Sequence, residues 1–499
     1  MESLSDTKWD VLISGTGLQN SLLALALSRS NKKILHVDEN EYYGGAEAAF
    51  SLQEVDEWVE KVSGDDPSNP FRNASLWKAD AEALNGTPGL SFSRAYTLTL
   101  SPQIIYSKSK LLAQLVSSKV YRQLEFQAVG NWWMYDEDTN EFEPLRKLPT
   151  SREDVSQDKS LDNRAKRSLM KFLKFVIDYE NQAETWESHA DAGLEEFLSS
   201  QFKLSVNLRS AIAALTLSFE DPHDISVKWA LPRIARHLTS IGVFGPGFGA
   251  VVPKWGGGAE ISQVACRAGA VGGGVYVLGA GIKQSGMVTE DGKQLSQVHL
   301  SNGETVKTRR LVGGASHHEL TNPKVVSKLI SVVSSPLTSL FESSIEGSPL
   351  AAVSVVVITS FGTVEHKGQP YPIYIMVHSS ETGECPANQC VLYATTMHTK
   401  YSKSALEEAV SHLLKSIEKG EGKLLYSLYY EQEQQASTDP TILPNASLDL
   451  AFNDEMLQAV ENQWKSIVAD DTGVGDAIFM QFEDREGMDN DDDDGDEGV

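Results

Sequence analysis

The stretch "VLISGTGLQNSLLALALSRSNKKILHVDENEYYGG", Val11 to Gly45, constrains the fold more than any other part of the chain. Val11 to Ser14 is a short apolar strand, Gly15-Thr16-Gly17 a tight turn, and Leu18 to Ser28 a helix with Leu18, Leu22 and Leu25 on one face. Ile34 to Val37 supplies a second strand that ends at Asp38 and Glu39. That order is a βαβ unit, the opening of an α/β sheet domain.

The turn invites comparison with a dinucleotide site. There, two glycines allow the turn and the close approach of backbone to pyrophosphate, and a third lets the helix pack on the strand. Here Gly15 and Gly17 are present, Asn20 replaces the third glycine, and Asp38 or Glu39 lies where a ribose-binding acid belongs. Two readings stay open on these residues: a bound FAD, or a turn kept because a βαβ unit needs one. Elsewhere the chain has no G-x-S-x-G elbow, no H-E-x-x-H and no Walker loop. His317-His318 stand without an evident metal partner and read as a loop feature. This silence moves weight from catalysis towards binding.

A chain of 499 residues can bury a large core and suggests two or three domains. Its 41% hydrophobic and 22% charged residues are those of a soluble globular protein. No apolar run approaches the roughly 18 residues that cross a bilayer, and "MESLSDTKWD" lacks the basic and apolar parts of a signal peptide, so a cytosolic protein is expected. Cys266, Cys385 and Cys390 cannot build a disulfide framework, nor do Cys385 and Cys390 have neighbours to complete a zinc site; they read as reduced thiols. Of the net charge of −26, the stretch from Glu483 to Val499 supplies −9, ten acids against Arg485. It has too little apolar material to fold and is expected to be a disordered tail. The remaining body is acidic too, which argues against nucleic acid as a partner. A basic partner is compatible with that charge, and a solubilising surface is the plainer reading.

Further along, Val275 to Leu278, Ser354 to Thr359, Ile373 to Val377 and Leu424 to Tyr430 read as strands, and "VHLSNGETVKT" as a hairpin turning at Asn302-Gly303. Between them, from about Thr150 to Ser240, the pattern is helical. Thr150 and Glu153 fit a capping box. Ala165, Leu169, Phe172, Leu173 and Val176 recur at spacings of three and four. "LRSAIAALTLSF" is apolar on nearly every face and predicts a central buried helix, while Pro232 should start or kink the next one. The expected organisation is a discontinuous sheet domain of residues 1–149 and 241–480, an inserted all-helical domain of residues 150–240, and the acidic tail, 481–499. No internal repeat is visible.

The residues just after the second strand are more specific. "HVDENEYYGGAEAAF" closely resembles the first signature block of the superfamily of Rab GDP dissociation inhibitors and Rab escort proteins. About two hundred residues on, "FGAVVPKWGGGAEISQVACRAGAVGGGVYVL" resembles its second block, a glycine-rich turn, a Glu-and-Arg helix and a Gly-Gly-x-Tyr strand. Within the superfamily, "LPTSREDVSQDKSLDNRAKRSLMKFLKF" and "PRIARHLTSIGVFG" are similar to the escort proteins. The likeness covers most of residues 8–312, is thin in the later strands, and departs at "GFGAVVPKWGGGAE", where the family has a Pro-Leu-Tyr-Gly-x-Gly-Glu run.

The resemblance implies a flavoprotein-like, FAD/NAD(P)-binding-type fold that carries no cofactor, with Gly15, Gly17 and Asp38 as a vestigial turn. It implies no catalysis by the chain itself. The implied partners are GDP-bound Rab GTPases, the Rab geranylgeranyltransferase heterodimer, the geranylgeranyl group on Rab and, transiently, a membrane. Tyr43, the second tyrosine of Tyr-Tyr-Gly-Gly, would belong to the Rab-binding platform with Glu260 and Arg267; its plainer reading is packing at a strand end. On a helix from Glu260 to Ala268, Ile261, Val264, Ala265 and Ala268 make the buried stripe and Glu260, Gln263 and Arg267 a polar one. Glu260 and Arg267 lie about 10 Å apart along the axis, so they are expected not to pair with each other and to be free for a partner. In the family the prenyl groove lies among the inserted helices, which makes Leu169, Phe172, Leu173, Val176, Ile212, Leu215 and Phe219 candidates for its lining, or plain core. A recycling GDP dissociation inhibitor and an FAD-dependent oxidoreductase are the alternative expectations.

Overall fold

In the computed structural model, strand Lys8–Ser14 (β1), helix Leu18–Leu27 (α1) and strand Ile34–Val37 (β2) form the βαβ unit. The structure describes residues 4–62, 69–80, 82, 84, 86–135, 145–148, 152–313, 323–342, 347–359, 370–418, 422–434, 443, 447–469 and 478–483. β1 and β2 are parallel, as are the strands outside them, Thr305–Val312 beside β1 and Val275–Val277 beside β2. Lys293–Leu300 and Ile282–Glu290 then extend the sheet antiparallel from Thr305–Val312, for six strands. α1 buries nearly its whole circumference, not the single Leu18, Leu22 and Leu25 face. The reason is its setting, because α1 packs against Gly258–Val271 on one flank and Asp454–Val468 on another.

A second sheet of ten strands runs in the order Phe71–Lys78, Leu424–Glu433, Val325–Val333, Cys390–Met397, Ile373–Ser379, Val353–Ile358, Phe126–Tyr135, Ala250–Pro253, Ile105–Tyr106, with Leu145–Lys147 paired to Phe126–Tyr135. The strands read from the sequence near 354, 373 and 424 lie here. They are continuous apolar runs because both faces are covered, one by the helices of residues 152–240 and the other by Ser402–Glu418.

From Arg152 to Ser240 the described elements are all helical, with α-helices at Arg152–Gln157, Asn163–Ile177, Ala183–Trp186, Leu194–Phe202, Val206–Ala214 and Val227–Ser240. The Asn163–Ile177 helix buries Leu169, Phe172, Leu173 and Val176 as its spacing predicts. The expected helix through Phe219 is shorter: it ends at Ala214. Thr216 Oγ1 donates to Ala213 O at 2.6 Å and accepts from Ser218 N at 3.2 Å, and Leu217 turns left-handed at φ 58°. Hydroxyls that compete for backbone groups stop a helix that apolarity alone would continue. Pro232 lies in the second turn of Val227–Ser240, not at its start. Thr150, His317, His318 and the tail from residue 484 lie outside the described residues, and so does the side chain of Glu153. No described helix is long and apolar enough to cross a membrane.

Candidate functional site

The glycine turn is closed by the chain's own polar groups. Gly15, at φ 92°, takes the bend, and its N–H donates to Val37 O at 2.8 Å. Asp38, 2% exposed, accepts from Thr16 N and Thr16 Oγ1, both at 2.6 Å, through Oδ2. Its Oδ1 accepts from Asn40 N at 2.8 Å and Asn40 Nδ2 at 3.1 Å. Asn20, in the third-glycine position, donates from Nδ2 to Ser14 O at 2.9 Å, holding strand and helix together from the inside. His36 donates from Nε2 to Gly15 O at 2.7 Å, and burial holds its imidazole neutral, down at about 4.

The Tyr42–Glu47 segment lies directly on this turn. Gly44 N donates to Thr16 O at 3.2 Å and Thr16 Oγ1 at 3.1 Å. A Cβ on Gly45 would stand 3.4 Å from the Cα and N of Gly17. Glu47, 5% exposed, reaches the N-terminus of α1, where its Oε2 accepts from Leu18 N at 3.4 Å. Sequence reasoning missed this carboxylate. Its only signal is one acid among small residues in "GGAEAAF".

Helix Gly258–Val271 follows the run Gly256-Gly257, both at positive φ. Gly256 is required by space as well, since a Cβ there would meet the Ala49 Cβ at 2.7 Å. The helix buries Ile261, Val264 and Ala265 against α1, and Ala268 packs partly buried at the same core. Close contact of Gly272 with Ser28 and a 3.5 Å bond from Cys266 Sγ to Ser21 Oγ fix this packing. Cys266, Cys385 and Cys390 are buried thiols outside any disulfide.

The expectation that Glu260 and Arg267 stay apart is corrected here: Arg267 Nη2 donates to Glu260 Oε1 at 3.3 Å. Seven residues fall about 20° short of two full turns, so both stand on one face. Helical side chains lean towards the N-terminus, and the long arginine stem spans the rise. The Glu260 side chain is 16% exposed and that of Arg267 60%, so the guanidinium keeps donors facing solvent. Burial raises the Glu260 carboxyl and Arg267 opposes that shift. Tyr43 is half-buried beside the same helix, its hydroxyl raised by burial and by the Cys266 thiol next to Arg267. The three platform residues named from the sequence are thus neighbours of one helix. Exposed apolar side chains flank it, Trp255 before its start, Val271 at its end and Val275 on the adjoining edge strand.

The seven prenyl-groove candidates are all buried, and all belong to one apolar cluster that also includes the facing sheet. Leu215 and Phe219 contribute from beyond the helix end, not from a helix face. Phe219 borders a cleft of about 630 Å³, whose wall also carries Trp229, Arg233, Arg236, Met397 and Asp449. The other six candidates do not line that cleft.

A family model described as GDP dissociation inhibitor matches residues 5–475. The chain is 33% identical to the Rab proteins geranylgeranyltransferase component A of Saccharomyces cerevisiae, over 78% of this chain and 61% of that relative, so it spans about three fifths of the relative's length. Among solved structures it is similar to a Rab GDI from Plasmodium falciparum, with a TM-score of 0.65, 19% identity and coverage of 92% of this chain and 98% of that one. An oxidoreductase from Methanosarcina mazei has the same fold at a TM-score of 0.54 and 12% identity, covering 92% of this chain and 100% of that one.

That last likeness raises the question of a dinucleotide, and the residues present do not fit one. The α1 N-terminus, which would receive pyrophosphate, faces the Glu47 carboxylate; Gly45 lies over Gly17; both oxygens of Asp38 are engaged by Thr16 and Asn40. A second anion at that helix end would meet like charge in a buried setting. The chain belongs to the GDP dissociation inhibitor family.

Proposed function

We propose that the chain works as a Rab escort component: it binds newly made, GDP-bound Rab GTPases, presents them to the Rab geranylgeranyltransferase heterodimer and carries the prenylated product to a membrane. The observation that carries this reading is the surface of helix Gly258–Val271, where Glu260 pairs with an exposed Arg267 beside Tyr43, between the exposed side chains of Trp255 and Val271. A charged centre with apolar flanks suits a protein partner, because desolvated aromatic and arginine contacts supply most of an interface's energy. The name of the yeast relative supports the choice of Rab and transferase.

The chain's own role is to hold and present, without catalysing prenyl transfer. A geranylgeranyl group gains about 0.8 kcal/mol per methylene-sized unit on leaving water. The core around Leu169, Phe172, Leu173, Val176 and Ile212 offers such a refuge, and because those side chains are closed against one another, the helices part to admit the chain. The protein is cytoplasmic and meets membranes only during delivery.

The test is reconstitution of a Rab, the transferase and labelled geranylgeranyl diphosphate with and without this chain. Incorporation that depends on the chain is expected, and equal incorporation in both tubes overturns the reading. Binding to prenylated Rab with none to unprenylated Rab-GDP or to the transferase would instead identify a recycling inhibitor.

A further inference from the structure

Glu47 stands where three loops converge, and its side chain or backbone touches each of them. From the glycine turn, Leu18 N donates to Oε2 at 3.4 Å, and a Cβ on Gly17 would lie 3.5 Å from that oxygen. From the Tyr43 segment, Glu47 N donates to Gly44 O at 2.9 Å. From the run that starts the platform helix, a Cβ on Gly258 would come within 3.3 Å of the Glu47 Cβ and 3.4 Å of its Cγ. Gly44 closes the triangle, its Cβ position lying 3.3 Å from the Ala259 Cβ.

The same residue ties this arrangement to the large sheet. Glu47 O accepts from Thr99 Oγ1 at 3.4 Å, and the neighbouring Ala48 O accepts from Leu100 N at 2.9 Å. Lys328 of strand Val325–Val333, 5% exposed, donates from Nζ to Leu100 O at 3.1 Å and Ser101 Oγ at 2.9 Å. Burial pushes the Lys328 ammonium down to about 7, and in its charged form it favours the ionised Glu47.

We infer that Glu47 is a positioning residue for the Rab-binding surface: a resident anion at the α1 N-terminus that sets Tyr43 and the start of the Glu260–Arg267 helix in register. The inference rests on the platform reading above. Helix N-termini attract anions because their first N–H groups have no partner within the helix. Here the anion is covalently part of the loop that bears Tyr43, so filling the helix end also fixes where Tyr43 stands. Burial pushes the Glu47 carboxyl up to about 7, so the ionised form gains as pH rises past that value.

The experiment uses the full chain at pH 8. Glu47→Ala opens a carboxylate-sized space at the helix end, and sodium formate is the probe, with sodium chloride at equal ionic strength as control. Binding of GDP-bound Rab should weaken about tenfold in Glu47→Ala and recover several-fold with formate but not chloride. Glu47→Gln, which keeps the shape and an acceptor but loses the charge, should fall between parent and alanine variant. Thermal melting gives a readout that needs no Rab, and formate should raise the midpoint of Glu47→Ala more than that of the parent. Formate acting no better than chloride on both binding and melting overturns the inference, as does parent-like Rab binding by folded Glu47→Ala. If Glu47→Ala does not fold, parent-like Rab binding by Glu47→Gln overturns it. A parent protein that fails to bind any Rab, combined with formate-specific melting of Glu47→Ala, would instead reject the platform reading and leave the resident anion standing.

Discussion

Two carboxylates serve neighbouring helix N-termini in opposite ways. Glu47 is 5% exposed and closes on the first N–H of α1, whereas Glu260, in the first turn of Gly258–Val271, holds an arginine whose side chain is 60% exposed. Both obey the preference for negative charge at a helix start. They differ in desolvation. A buried carboxylate must be satisfied by fixed internal donors, so it determines structure, and losing it is costly. A surface ion pair is worth little by itself, about 0–1 kcal/mol, so it can be traded for contacts with a partner at small cost to the fold. The region around the glycine turn is therefore scaffold, and under the proposed function the outer face of helix Gly258–Val271 is the working surface.

The sharpest way to break this contrast is Asp38→Ala. It removes the acceptor of four hydrogen bonds and leaves the Thr16 N–H and O–H donors without that acceptor in the interior. The expected loss of stability is about 3 kcal/mol or more, read from urea unfolding. A loss below about 1 kcal/mol would mean that the turn does not depend on its buried carboxylate.

Next in size is a response to acid in the scaffold. His36 is held neutral at about 4 in the folded protein, below the ordinary 6.5, so between those values the unfolded chain binds the extra proton. Its contribution to stability is complete above about pH 6.5 and is lost as pH falls towards 4, at up to about 1.4 kcal/mol per pH unit. Unfolding curves from pH 7 to 4 should be less steep in pH for His36→Gln than for the parent, and equal slopes would remove His36 from the account.

On the working surface, Arg267→Ala should weaken Rab binding by about tenfold while moving stability by less than about 0.5 kcal/mol. Glu260→Ala should do much the same, and the double variant should lose less than the sum, because the two side chains share a bond. Additive losses would mean that the pair opens before Rab arrives. Smallest of all, Glu483→Ala should change nothing in affinity; the contact seen there is its carbonyl accepting from Arg29 Nη1, which alanine retains.

Much of the scaffold is legible in the sequence. The βαβ unit, the Asn302-Gly303 hairpin and the apolar face of Asn163–Ile177 follow from local spacing, which the tertiary structure does not override. The proposed platform residues come from resemblance to a family, not from chemistry, since Tyr43, Glu260 and Arg267 look like ordinary surface residues one at a time. Side-chain reach and helix ends are where local spacing misleads. Axial rise alone separates Glu260 from Arg267, although the arginine stem closes the gap, and apolarity alone carries a helix past Ala214, where the Thr216 hydroxyl takes up Ala213 O and Ser218 N and ends it.

The sequence by itself determined the order of strand, turn and helix, because backbone preference and apolar period act over a few residues and travel with them. Tertiary structure decided which charges are internal. Nothing local distinguishes Glu47 from Glu260: each is one acid among small residues next to glycines. The difference arises only when Gly17 and Gly258 pack around Glu47 and exclude water from it, while the far side of Gly258–Val271 is left open. Desolvation depends on every neighbour at once, and those neighbours are more than two hundred residues apart in the chain.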